Sequence, residues 1–319
     1  MKAILTISMI FVHAIQMLPY FRNETKSAII KECFDSLSMI IDITTFPSFL
    51  FCFGYVFYLA YLKDYENSKL KLLKNGVNTL IVYYISAFGI FLIDYRSIEI
   101  ENILDILLFN RIISYSEFLL SFSFISFLTV FTGKIILKIT LNYKNLIIIS
   151  IFLLLLSLFI PYSKIPIQLG IFIGSTKFSC FPIFLYFPYF LFGIYLAKNN
   201  IRFNKYVFII TFLLSLTSII YIIFNNAIPE RFPPSFFWLN LSFLYTYCLY
   251  LLCIKISKYD LGIFFKRVGE NTLLYLLTSN LILRYFMHYK PFNVGWTGIL
   301  IITFFIILIT NHLIKIIRK

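Results

Sequence analysis

The chain has 319 residues, 60% of them hydrophobic and 13% charged, with 39 Phe, a mean hydropathy of +0.88 and a net charge of +14. So much apolar surface exceeds what a water-soluble core can hide, and 11 Gly, 10 Pro and five scattered Cys exclude collagenous, disordered and disulfide-scaffold chains. The positive charge lies in short segments between apolar stretches, which is the distribution of orientation signals at a membrane and not of a nucleic-acid surface.

The expected fold is all-α: a polytopic membrane helical bundle of about ten transmembrane helices, forming one integral-membrane domain over 1–319. The apolar stretches are 3–20, 37–62, 76–93, 115–132, 145–161, 179–197, 206–224, 236–254, 272–289 and 297–315. The first has one basic residue before it and no small-residue cleavage site after it, so it reads as an anchor and not as a signal peptide. Stretches 103–112 and 134–143 are too short to span and are expected to lie in the interface. The cysteines show no metal-ligand spacing and no metal is expected, although Cys33 and Cys180 fall on one side and could pair.

Orientation follows from Lys and Arg. With the N-terminus inside, the inner side holds 18 of the 28 basic residues, while Glu24, Glu32, Asp35, Asp94, Glu99, Glu101 and Asp105 lie outside. Both termini are therefore expected in the cytoplasm, with the chain multi-pass in the cell membrane.

Ionisable groups within apolar helices are the first candidates for chemistry. His13 stands eleven residues after Lys2, roughly 16 Å along a helix. Asp42 and Glu117 begin the second and fourth spans from the outer side. A His beside a carboxylate is a general-base arrangement; a His packed between helices on a backbone carbonyl is the simpler alternative. Arg284 and His288 lie one turn apart on the ninth span. They either hold an anionic or carbonyl group of a ligand, or Arg284 snorkels to the interface. Arg231 either faces a ligand or pairs with Glu230. Lys69, Lys71, Lys74, Lys266 and Arg267 make the inner loops basic, as a phosphate-bearing ligand needs and as topology signalling alone would also produce.

Several motifs resemble the membrane acyltransferases of the acyltransferase-3 type and the related heparan-α-glucosaminide N-acetyltransferase-like proteins. The opening KAILTISMIFVHAI is similar to the family's first helix, with Lys2 where the family carries Arg. Pro47 to Tyr55 resembles its Pro-x-Phe-Phe-x-x-Ser-Gly-aromatic run, with Phe53 in place of Ser. The Lys69–Lys74 segment, FPIFLYFPYFLFGIYLAK from Phe181 to Lys198, and Arg231 with Pro233, Pro234 and Ser235 follow in the family's order. VGENTLLYLL, with Gly269, Asn271, Thr272 and Tyr275, resembles a later family segment; where members often carry a second His, this chain has Thr278-Ser279-Asn280.

The resemblance implies transfer of an acyl group, usually acetyl, from cytoplasmic acyl-CoA to a hydroxyl or amine of a glycan on the far side. Its partners would be membrane lipid, acyl-CoA and a carbohydrate acceptor, with no nucleic acid. It also implies Lys2 as a donor-binding group and His13 as the point of transfer, either as base or as the group that carries the acyl. The competing readings are a transporter or flippase using His13, Asp42, Glu117 and Arg284 as a path, and a non-catalytic scaffold of glycan assembly.

Overall fold

A computed structural model describes residues 1–18, 28–96, 99–179, 181–260, 262–289 and 295–317. Cys180 lies outside the described residues, as does the side chain of Cys33, so the pairing considered above does too. Among the described residues every regular element is a helix. In chain order these are α1 (Lys2–Met17), α2 (Ala28–Ala60), α3 (Tyr65–Tyr95), α4 (Ile100–Leu107), α5 (Glu117–Ile139), α6 (Tyr143–Leu156) and α7 (Ile167–Ile173). They continue with α8 (Ile183–Lys198), α9 (Lys205–Asn225), α10 (Phe236–Leu241), α11 (Phe243–Ile256), α12 (Gly262–Glu270), α13 (Thr272–Tyr289) and α14 (Trp296–Ile317).

Among the described residues, five helical stretches are long and apolar enough to cross a membrane: Asp35–Tyr95, Glu117–Ile139, Lys205–Asn225, Phe236–Ile256 and Trp296–Ile316. The first has 61 residues and runs through most of α2 and all of α3. Helices α1, α6 and α8 are apolar but shorter. The chain thus has the make-up of a helical membrane protein. Two expectations change in detail. The 134–143 stretch is no separate interfacial segment, because Lys134–Ile139 continues α5 and α6 opens at Tyr143. The 236–254 stretch is broken between α10 and α11 at Ser242.

That break is sustained by side chains. A helix interrupted in an apolar setting exposes backbone groups that must be satisfied. Ser215 Oγ on α9 donates to the Asn240 and Leu241 carbonyls, both at 3.1 Å, and accepts from the Leu244 N–H at 3.1 Å. Ser218 Oγ donates to the Phe237 carbonyl at 2.6 Å, and the Tyr189 hydroxyl donates to the Leu239 carbonyl at 2.6 Å. Serines on one face of α9 therefore stand in for the missing turn.

The chain divides into two compact units. The first comprises Met1–Phe46, Phe88–Glu99 and Ile256–Lys319. Within it α1 packs on α12, α13 and α14, and α13 packs on α14. Buried residues lie on all sides of α1, from Ala3 and Leu5 through Met9, Ile10, Phe11 and Val12 to Met17, the pattern of a helix enclosed by others and not of a surface amphipath. Thr6 bonds Thr272 at 3.2 Å and His13 bonds Asn280 at 2.6 Å. Since both partners advance together, α1 and α13 run parallel.

The second unit comprises Pro47–Ala87 and Ile100–Lys255. Its centre is α8, buried over almost its whole length and packed on α5, α6 and α7. Close backbone approach explains the glycines in its two Phe-rich motifs. A Cβ at Gly193 would overlap the Phe51 carbonyl, and a Cβ at Gly54 would overlap that of Phe190. Small residues let apolar helices meet at backbone distance. Gly193→Val is expected to destabilise the fold by about 1–3 kcal/mol or more, since a rigid carbonyl cannot yield as a side chain can. Thermal unfolding in detergent checks this, with Gly295→Ala as a neutral control because nothing lies within 4 Å of that position.

Candidate functional site

In the first unit, α1 carries His13 inward at 7% exposure, and α13 brings Asn280, 1% exposed, against it. His13 Nδ1 and Asn280 Oδ1 are 2.6 Å apart. An amide oxygen only accepts, so Nδ1 carries the proton of this bond, and in the neutral ring the lone pair falls on Nε2. That is the tautomer a general base needs at Nε2. Asp42 is one turn further along: its Oδ1 accepts from Gln16 Nε2 at 3.1 Å, and Gln16 follows His13 by three residues.

Arg284 lies one turn beyond Asn280 on the same face of α13 and meets Asp94 in a two-pronged ion pair. Its Nε is 2.7 Å from Oδ1 and its Nη2 is 2.6 Å from Oδ2. The side chains are only 20% and 17% exposed. His288, the next residue on that face, is exposed and packs its ring against Tyr289 at 4.9 Å. Asn280, Arg284 and His288 thus form a polar stripe at successive turns of an otherwise apolar helix.

Two other candidates lie in the second unit. Glu117 opens α5 and is 9% exposed. Its carboxylate lies within reach of the backbone N–H groups of Tyr115, Ser116 and Glu117 itself, and the cation that acts on it is Arg231. A helix N-terminus favours a negative side chain at this position. Glu117 Oε2 and the hydroxyl of Tyr83, whose phenol is coupled electrostatically to Glu117, are buried without a hydrogen-bond partner. The Arg231 guanidinium lies over the rings of Phe232, Phe181 and Trp238 at 4.7, 5.7 and 5.8 Å, distances at which cation–π attraction operates. The Ser-rich start of α5 is also tied down, with Ser116 Oγ 2.7 Å from Ser86 Oγ and Ser121 Oγ donating to the Phe181 carbonyl at 2.7 Å.

The basic candidates divide between the units. In the first, a Cβ on Gly269 would stand 3.8 Å from Lys2 Cβ, so α12, which bears Lys266 and Arg267, touches the start of α1. Lys266 is exposed, whereas Arg267 Nη1 donates to Asn311 Oδ1 at 2.8 Å. In the second, Lys134 and Lys69 approach the two oxygens of Glu66 at 2.7 and 2.8 Å. Lys71 and Lys74 are exposed on the following turns of α3. Among the described residues no group of three His, Cys, Asp or Glu side chains gathers as a metal site would require.

Several of these groups escape a reading of the sequence. Asn280, Gln16, Tyr83 and Asp94 are ordinary residues in apolar or capping surroundings, and only long-range packing selects them. The polar run Thr278-Ser279-Asn280 was a visible signal, without its partner. Comparison of the chain with family models, curated proteins and solved structures finds no match.

Proposed function

We propose that this chain is an integral membrane acyltransferase. It would move an acyl group, acetyl in the simplest case, from cytoplasmic acyl-CoA to a hydroxyl or amine of a cell-surface or periplasmic glycan. The observation that carries the reading is the buried His13–Asn280 pair at 2.6 Å. It joins the first-helix His of the motif resemblance to the segment where the resembling proteins often carry a second His, and it gives His13 a basic Nε2.

In this reading His13 Nε2 takes the proton of the acceptor hydroxyl while that oxygen attacks the thioester carbonyl. The C–S bond then breaks, and the proton passes from Nε2 to the departing CoA sulfur. The Asn280 amide oxygen keeps Nδ1–H oriented throughout and offsets part of the imidazolium charge. Lys2 and Lys266 supply positive charge at the start of α1, about 16 Å from His13 along the helix, a separation that the long arm of acyl-CoA can bridge. Lys supplies this charge without the two-pronged fork of Arg. Glu117 and Arg231, which interact electrostatically in the second unit, are not part of this step.

The topology that goes with this function is ten spans in the cell membrane, with both termini cytoplasmic. The parallel pairing of α1 and α13 supports it, because alternation gives the first and ninth spans the same direction. Reporter fusions after Lys319 and within 21–36 are expected to report the inside and outside respectively. The direct test is incubation of membranes containing the protein with labelled acetyl-CoA. Label is expected in a glycan, and its absence from every extracted glycan overturns the reading.

A further inference from the structure

The second unit contains a cavity of about 360 Å³ between α6, α8 and α9, in the size range of small-molecule sites. Its wall is apolar, with Leu146, Leu154, Phe192, Val207, Ile210 and Leu214. Along α6 it extends from Tyr143 to Leu154, and along α9 from Asn204 to Leu214. The two stretches measure about 15–17 Å at 1.5 Å per residue. That is half of a hydrocarbon core of about 30 Å, or the depth of one leaflet.

The two ends of the cavity differ. At one end α6 and α9 both begin, capped by Asn142 and Asn204, whose side-chain oxygens accept from Lys144 N at 2.9 Å and Tyr206 N at 2.8 Å. Tyr143, Tyr195 and Tyr206 line that end, as aromatic side chains do at a membrane interface. Lys144 and Lys205 adjoin Tyr143 and Tyr206 in the chain and are exposed, Arg202 is exposed three residues before α9 begins, and Lys205 Nζ lies 5.3 Å over the Tyr206 ring. The chain has no Asp or Glu between Glu117 and Glu230, so no carboxylate of that segment offsets these cations. The starts of two parallel helices add partial positive charge. The other end, at Leu154 and Leu214, is apolar.

We propose that this cavity binds one acyl chain of an anionic glycerophospholipid, with the phosphate headgroup held by Lys144, Arg202 and Lys205. The chain enters at the tyrosines and ends near mid-membrane. The inference rests on the membrane reading of the fold and is independent of the acyltransferase reading, because no residue of the His13 or Glu117 centres takes part.

The test is native mass spectrometry of the full chain, released from micelles that carry equal amounts of phosphatidylglycerol and phosphatidylcholine. The parental protein is expected to retain phosphatidylglycerol preferentially. The expected gain is about fivefold for each basic side chain engaged, the size of lysine attraction to an anionic membrane surface. Combining Lys144→Gln, Arg202→Gln and Lys205→Gln is expected to abolish the preference while lipid is still retained. Ile210→Trp and Val207→Trp, which fill the cavity from α9, are expected to lose the retained lipid of both kinds. Unfolding of each variant in phosphatidylcholine nanodiscs, matching the parent, shows that the fold survives. Equal retention of the two lipids by the parent overturns the proposal. So does an undiminished preference in the charge variant, or undiminished retention in a folded tryptophan variant.

Discussion

Replacing His13 with alanine is expected to lower acyl transfer by about 10²–10⁴-fold, the usual worth of a positioned general base, while the protein still inserts in the membrane. His13 is 7% exposed and held by Asn280 Oδ1 at 2.6 Å, so the substitution removes the basic Nε2 and leaves a small polar gap. His13→Gln retains most of the volume and a hydrogen bond, and its activity is expected to be lost equally, which separates chemistry from packing. Asn280→Ala is expected to lower kcat with little change in the KM for acyl-CoA, since it frees the ring to rotate and change tautomer. Asn280→Asp again offers an oxygen to Nδ1–H and is expected to recover much of that loss. Labelled acetyl-CoA, with the membrane content of each variant measured beside it, checks all four. Parental acylation by His13→Ala would falsify the enzymatic reading and leave the transporter and scaffold readings.

Arg284→Ala is expected to be among the most destabilising single changes in the chain. Its guanidinium meets Asp94 through two bonds at 2.6 and 2.7 Å. With the side chains 20% and 17% exposed, truncation leaves the Asp94 carboxylate uncompensated in poor solvent. Breaking a buried pair costs about 3–5 kcal/mol, and partial exposure places this one near the lower figure. Replacing both partners with apolar side chains of similar size, Arg284→Met with Asp94→Leu, is expected to restore most of the stability. Membrane abundance and thermal unfolding in detergent measure both effects. The double variant also decides the role read for Arg284 in the sequence: acylation at the parental rate there removes Arg284 from acceptor binding.

Hydropathy made the helices legible, because a length of about 20 apolar residues is a property of the local chain. The stretches 206–224 and 297–315 correspond to α9 and α14 within a few residues. Local properties fail where a tertiary contact substitutes for a helical turn. The 236–254 stretch reads as one span and falls within Phe236–Ile256, but its break at Ser242 was not legible: Ser215 of α9 takes the Asn240 and Leu241 carbonyls there, and Ser218 takes the Phe237 carbonyl within α10. Nothing within 236–254 encodes those partners. The candidate site was legible by residue type only. His13, Glu117 and Arg284 stood out because a charge or imidazole in an apolar helix needs a reason.

From the sequence alone came an all-helical membrane class, from composition, and the expectation of cytoplasmic termini, from the bias of 18 basic residues among 28. It also singled out His13 as the group on which a chemical reading would turn. Which partner each polar group takes was decided only by the tertiary structure. Asn280 is 267 positions from His13, Asp94 is 190 positions from Arg284, and Arg231 comes to Glu117 from a distant loop. Buried polar groups require partners, but the requirement names no position along the chain. Helix packing supplies it, by setting which faces meet and at what register.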